Sequence, residues 1–263
     1  MREISNDTSG FYDAVAEYYP YFYRDWETQL QREGLGLRAL FRNRGVTTVL
    51  DASCGAGAQA IPLTQLGYQV TAIDPSFGML RKLEAFAADY GILNRLTYRQ
   101  GDFANLTTVV DGPFDAVITK GNALPHLLLD SEIAAALRSF HTLLRPGGTL
   151  VIGMRDFAPF MEDRPRMIPG FAHEPDDEGG EEVITFDLWE WHDGPPVIAT
   201  QSLFIITGRG NDYRVLKRTV SYRPLSIDEV KVVLLEIGFE GIVDQPDRAE
   251  RVLVARKPLT VER

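Results

Sequence analysis

The 263-residue sequence holds a single cysteine, Cys54, so it can build neither an internal disulfide nor a cysteine-rich metal site. Its four histidines, His126, His141, His173 and His192, lie too far apart in sequence for metal-ligand spacing, and no metal is expected. No stretch approaches the ~20 apolar residues that cross a bilayer. The start, "MREISNDTSGFYDAV", is charged and polar where a signal peptide needs an apolar centre. Basic residues are also scarce: 27 Lys and Arg stand against 37 Asp and Glu, a net charge of −10. The densest basic stretch, "RALFRNRG" at 38–45, is too short for the stripe that tracks a phosphate backbone and reads as a solvated helix face. These absences point to a cytoplasmic protein with a small-molecule partner. They argue against nucleic-acid or membrane partners and leave homo-oligomerisation open.

What is present is a rhythm. Residues 11–44 carry aromatic and apolar residues at helical intervals and predict two or three helices broken near Pro20 and Gly34, and among the aromatics Tyr19 and Trp26 are candidates to wall a cofactor pocket. From 46 to 153 apolar runs such as "TTVLDAS", "QVTAIDPS", "FDAVITKGN" and "TLVIGMRDF" alternate with amphipathic stretches of helical period. That alternation predicts an α/β fold: a doubly wound, Rossmann-like, mostly parallel sheet with helices on both faces. Residues 157–182 hold four prolines, three glycines and a dense acidic end, and read as a loop. Three β-type segments then predict an antiparallel layer. The run "SIDEVKVVLLEIGF" predicts a helix with Ser226 and Glu229 as a capping box, and "RAERVLVARKP" a last strand. The expected organisation is one domain: a helical cap (1–45), a core (46–156), a loop with an inserted β-layer (157–225), and a closing helix and strand (226–263).

The chemistry gathers around "VLDASCGAGAQAIPLTQLGYQVTAIDPS" at 49–76. Gly55 and Gly57 after the first strand let the backbone turn tightly against a ligand, at the N-terminus of a helix. Asp74 closes the second strand, seventeen residues past Gly57, where an acid can accept both hydroxyls of a ribose. Asp51 then discriminates between cofactors. A carboxylate beside this loop repels a pyrophosphate but favours an ammonium and a sulfonium. Gly101-Asp102 and Pro146-Gly147-Gly148 follow in order.

With these motifs the chain resembles the class I S-adenosylmethionine-dependent methyltransferases over roughly residues 46–155. It is most similar to the glycine and glycine/sarcosine N-methyltransferases, which it resembles through the aromatic N-terminal segment up to "RDWETQ", "KGNALPHLL", "LVIGMRDF" and "VSYRP". The resemblance implies S-adenosyl-L-methionine as cofactor, S-adenosyl-L-homocysteine as product and a small amine as acceptor. It implies that the loop Ala52–Gly57 holds the amino-acid end of the cofactor and Asp74 the ribose. Pro75 and Met79 border the adenine, Asp102 takes its amino group, and Phe103 lies beside it. Asn122 and Arg155 then grip the acceptor, with His126 and Tyr222 nearby. Carbonyls around Thr119, Lys120 and Gly121 face the positive charge that develops on nitrogen.

Read as residues alone, Arg155 fits either a substrate carboxylate or an internal salt bridge, Asn122 either a turn or a substrate contact, and Asp102 either a ligand or a turn. The stretch after Arg155 departs from the resemblance, because "EDRPRMIPGFAHEPDDEGG" holds no tyrosine. A heteroaromatic or amino-sugar acceptor therefore stays open. So do a non-catalytic cofactor-binding protein and, against Asp51, a nucleotide-dependent oxidoreductase.

Overall fold

A computed structural model describes residues 6–175, 180–247 and 250–259. The chain opens with helix α1 (Thr8–Val15), whose first turn is capped by the Asp7 carboxylate on the Gly10 N–H, and a 3-10 segment, Ala16–Phe22, that absorbs Pro20. Helix α2 (Trp26–Phe41) follows, capped by Asp25. The expected break at Gly34 does not occur: α2 runs through it. A Cβ at Gly34 would lie 2.7 Å from Pro62 Cβ, so this glycine serves close helix packing and not a turn.

The core then alternates β1 (Thr48–Asp51), α3 (Ala60–Gln65), β2 (Gln69–Asp74), α4 (Phe77–Asp89), β3 (Leu96–Gln100), α5 (Leu106–Val109), β4 (Phe114–Thr119), α6 (Asp130–Leu143) and β5 (Leu144–Arg155). After it come α7 (Ala158–Asp163), β6 (Met167–His173), β7 (Glu182–His192), β8 (Ile198–Arg209), β9 (Asp212–Tyr222), α8 (Ile227–Ile237), β10 (Glu240–Asp247) and β11 (Glu250–Arg256). Among the described residues the main sheet has seven strands in the order β3-β2-β1-β4-β5-β11-β10. The first five are parallel, and β11 runs antiparallel to both β5 and β10.

Both faces of this sheet are buried, which is why its strands are nearly all apolar. On β1, Leu50 belongs to a core shared with α5, α6 and α8, and Val49 to one shared with α2, α3 and α4. The chain leaves β1 for β2 on one side and returns to β4 on the other. The strand order reverses at that point, where a crevice opens at the carboxyl ends.

Two expectations from sequence need correction. Residues 157–175 are not a loop. They form α7 and β6, and β6 pairs with β7 to extend the expected antiparallel meander to four strands, β6-β7-β8-β9. The prolines are tolerated because β6 is an edge strand with a register shift between Pro169 and Ala172. Likewise the chain closes with two strands, not one. β10 carries Pro246 at the outer edge of the main sheet, where a missing N–H costs no ladder bond.

Candidate active site

The crevice at the switch point is a chamber of about 650 Å³. Its floor comes from the strand ends: Ala52, Ser53 and Gly55 after β1, Asp74 and Pro75 after β2, and Lys120 and Gly121 after β4. The side walls are Met79 on α4, Asp102, Phe103 and Ala104 after β3, and Ala123 and His126 to Leu129 with Glu132 at the head of α6. Residues 6–9, Tyr12 and Tyr19 close the top. This cover is pinned in several places. Asn6 exchanges hydrogen bonds with Ser221 and donates to the His126 carbonyl, and Ser9 Oγ donates to the Pro75 carbonyl at 3.0 Å. Asp13 accepts from Ser76 Oγ at 2.6 Å and from the Gly78 N–H at 2.7 Å, at the N-terminus of α4 where a carboxylate is favoured.

Asp74 organises the floor. Its two oxygens accept the Gly55 N–H at 2.8 Å and the Ser76 N–H at 2.9 Å, which holds the glycine loop against the end of β2. Burial pushes this carboxyl up to about 6, against the pull of those two N–H groups. Asp51 lies deeper, fully buried behind the loop, and does not line the chamber. Its Oδ1 accepts weakly from the Ser53 N–H at 3.4 Å, and its Oδ2 has no partner among the described residues. Burial, helped by Asp74 and Glu33, pushes Asp51 up to about 8. Near pH 7 Asp74 carries the charge on this floor while Asp51 is mostly protonated, and a cation bound above the loop would draw the Asp51 proton off, so the floor favours a positive charge over a phosphate.

A second chamber of about 300 Å³ adjoins the first and shares Tyr12, Tyr19 and Gly121 with it. The Tyr19 hydroxyl lies against both glycine turns, within 4.0 Å of where a Cβ would stand on Gly55 or Gly121. It also bonds the Tyr23 hydroxyl at 3.2 Å. Aromatic rings dominate this chamber, from Phe11 and Phe22 in the cap to Phe171, Phe186 and Tyr222 in the β-layer, and its polar lining includes Asn122, Arg155, Asp187 and Gln201. Asn122 sits at φ 68°, a left-handed conformation that asparagine tolerates, and its Oδ1 accepts the Arg155 N–H at 3.1 Å. It is thus a turn residue and a wall residue at once. Arg155 makes no salt bridge to Asp156 or any other acid among the described residues. Its guanidinium lies 5.2 Å from the ring centres of both Phe160 and Trp189, and Nη1 is buried without a partner.

His126 lines the first chamber, behind Tyr12. Its Nε2 lies 3.0 Å from the Tyr12 hydroxyl, its Nδ1 3.3 Å from the Ser221 carbonyl, and its ring 4.2 Å from that of Tyr222. Burial holds it down at about 4, so it is neutral near pH 7, with Nδ1 donating to Ser221 and Nε2 accepting from Tyr12. Both nitrogens are occupied in fixing Tyr12. Burial also pushes the Tyr222 hydroxyl up to about 12.

Of the residues expected at a cofactor site, Tyr19, Ala52, Gly55, Asp74, Pro75, Met79, Asp102, Phe103, Lys120 and Gly121 line the larger chamber. Trp26, Asp51, Gly57, Gly101 and Thr119 do not. Trp26 stacks on Phe86 at 5.4 Å. Gly57, at φ 99°, is a packing glycine whose Cβ would lie 2.5 Å from Leu83 Cδ1. A Cβ at Gly101 would meet Asn105 and Ile73, and Thr119 bonds Ser53 Oγ at 2.9 Å from behind. The Lys120 ammonium turns away from the chamber to Glu33 at 2.7 Å and Glu250 at 3.0 Å. Asp102 Oδ1 accepts the Ala104 and Asn105 N–H groups, so the turn-forming reading describes that oxygen. Asn122, Arg155 and Tyr222 gather in the second chamber. Sequence reasoning missed Tyr12, Asp187 and Gln201. Only Asp187 had a readable signal, a lone acid within the apolar run "VITFDLW".

Residues 49–148 match the methyltransferase domain family, over the stretch that builds the larger chamber's floor. That match covers 100 of the chain's 263 residues. The chain is 30% identical over 133 residues to the glycine/sarcosine N-methyltransferase of Halorhodospira halochloris, covering 51% of this chain and 49% of the relative. It is 36% identical over 138 residues to the glycine N-methyltransferase of Rattus norvegicus, covering 46% and 44%. The chain therefore spans about half the length of the relatives it matches. The CcbJ methyltransferase of Streptomyces caelestis superposes with a TM-score of 0.71 at 24% identity, over 96% of this chain and 99% of that one. The sugar N-methyltransferase KedS8 of a Streptoalloteichus species does so at 0.71 and 17% identity, over 98% and 96%. The Rossmann-like methyltransferase fold, β-layer included, thus extends along nearly the whole chain. No described helix is long and apolar enough to cross a membrane.

Proposed function

We propose that this chain is an S-adenosylmethionine-dependent N-methyltransferase acting on a small amine of the glycine or sarcosine type. One observation carries the reading: two chambers of different chemistry share a wall made of Tyr12, Tyr19 and Gly121. Bound S-adenosylmethionine supplies an electrophilic methyl group on a sulfonium. The larger chamber fits that molecule. Ionised Asp74 would accept ribose hydroxyls, Pro75, Met79, Asp102 and Phe103 would hold the adenine, and the acids below the loop would favour the cationic end.

The chain's own work is placement. Gly121 and Tyr19 line both chambers, so an amine seated in the smaller one would lie just across them from the cofactor. Holding the reacting atoms at near-contact in line is worth about 7 kcal/mol or more of a barrier. Carbonyls around Thr119–Gly121 and the tyrosine oxygens offer acceptors to the growing charge on nitrogen. The aromatic walls exclude water. His126 is not the base, because burial keeps it from gaining a proton and both its nitrogens are engaged. Arg155 and Asn122 orient the acceptor.

The aromatic lining, together with the absence of tyrosine in 157–182, favours a heteroaromatic or amino-sugar body as the second reading. Incubation with S-adenosylmethionine and single amines, read by mass spectrometry, tests the proposal. The expected result is an acceptor heavier by one methylene equivalent, with S-adenosylhomocysteine formed in equal amount, for glycine or sarcosine first and for amino sugars on the second reading. If no amine in the panel is methylated while the cofactor stays bound, the catalytic reading fails.

A further inference from the structure

The inner face of the antiparallel layer carries Val183, Thr185, Asp187 and Trp189 on β7 opposite Ile205, Leu203 and Gln201 on β8. An aspartate there breaks an otherwise apolar or neutral stripe that packs toward the cap and the second chamber. Asp187 Oδ1 is buried and has no hydrogen-bond partner among the described residues. Arg155 Nη1, lining the same chamber, is in the same condition. Burial raises the Asp187 carboxyl, and the Gln201 side chain and then the Arg155 guanidinium, both lining the same chamber, draw it down. Yet Asp187 and Arg155 form no salt bridge. Arg155 is held in place by Phe160 and Trp189, and Asp187 by its strand.

A buried charge with an open lone pair or an open N–H is costly, and a protein keeps two of opposite sign apart only if something else completes both. Resting on the methyltransferase reading, we propose that Asp187 and Arg155 read the two ends of one zwitterionic acceptor, its carboxylate on Arg155 Nη1 and its amine on Asp187 Oδ1. The zwitterion's ammonium has no lone pair, so it gives up one proton to solvent before transfer; the neutral nitrogen then keeps an N–H on Asp187 while its lone pair meets the methyl group. The smaller chamber, about 300 Å³, holds glycine and leaves room for a longer amino acid, and Asp187 is the residue that distinguishes an amino acid from a plain carboxylic acid.

Calorimetric titrations of the protein, with and without S-adenosylhomocysteine, test this with glycine, β-alanine, γ-aminobutyrate, propionate and ethylamine. One of the amino acids is expected to bind at least tenfold more tightly than both propionate and ethylamine. Asp187→Asn should weaken that amino acid at least tenfold while leaving propionate unchanged or tighter, because a negative charge near Arg155 has gone. The inference is overturned if no amino acid outbinds propionate, if Asp187→Asn spares the amino acids, or if it weakens propionate by the same factor, which marks a structural role. S-adenosylhomocysteine binding is read separately: its loss in the wild type sinks the methyltransferase reading, and the amine series still decides the role of Asp187.

Discussion

The two chambers are built by different means. The larger takes its floor from turns at the ends of three adjacent parallel strands, largely backbone and small residues with a single strand-end acid, Asp74. The smaller takes side chains from the cap, from the ends of β4 and β5, and from all four strands of the antiparallel layer. The first must hold one fixed molecule, so local turns suffice. The second must select among acceptors, and its selectivity lies in which distant side chains the fold brings together. This explains why a family match over residues 49–148 reaches the first chamber and stops short of most of the second.

Substitutions can break the contrast. The largest effect is expected at Asp74. Asp74→Ala removes charge-assisted hydrogen bonds worth about 1.5–3 kcal/mol each. The Kd for S-adenosylhomocysteine should rise by at least about 100-fold on losing two of them. Unchanged calorimetric affinity would remove Asp74 from the cofactor site. Gly57→Ala comes next and should act on the fold instead. A Cβ at φ 99° and 2.5 Å from Leu83 costs about 2 kcal/mol in strain and overpacking, read as a lower urea midpoint. If the variant melts like wild type but binds cofactor poorly, Gly57 belongs to the chamber after all.

A pH series sharpens the comparison further. Asp74 titrates near 6 in the folded protein, and its ionised form is the better acceptor for ribose hydroxyls. Affinity for S-adenosylhomocysteine should therefore be full above pH 7 and fall about tenfold by pH 5, with the slope absent in Asp74→Asn. Stability contains an opposing pair of contributions. His126 is lowered to about 4 from a free value near 6.5, so its contribution is present above 6.5 and is lost as pH falls toward 4. Asp51 is raised to about 8, so its contribution is present below about 4 and is lost as pH rises toward 8. Asp51→Asn should accordingly stabilise the ligand-free protein more at pH 8 than at pH 5 in urea melts, and the opposite order would contradict its burial.

The smallest effect is expected in the shared wall. Tyr12→Phe loses one hydrogen bond to neutral His126, about 1 kcal/mol, and should raise the acceptor KM severalfold with little change in cofactor Kd.

The same contrast governs what could be read before the structure. The parallel core was legible because buried strands, glycine turns and strand-end acids are local patterns, and Asp74, Gly55 and Asp102 stand where those patterns place them. Gly34 and Gly57 misled because a glycine required for packing looks the same in sequence as one required for a turn or a ligand. Asp51 was read as touching the ligand, and only the fold shows it one layer down. The strands β6 and β10 were hidden by their prolines, which edge positions excuse. Tyr12 and Gln201 could not be found at all. One is an aromatic among many in the cap, and the other is a polar residue whose strand parity is set only by pairing with β7 and β9.

The claim on which the rest depends is that acids under a glycine turn select a cationic sulfur nucleoside over a pyrophosphate. Parallel calorimetric titrations of the wild-type protein with S-adenosylhomocysteine and with NAD test it most directly. The account predicts one-to-one binding of the first and no heat from the second at the same concentrations. Tight binding of NAD with none of S-adenosylhomocysteine would contradict it.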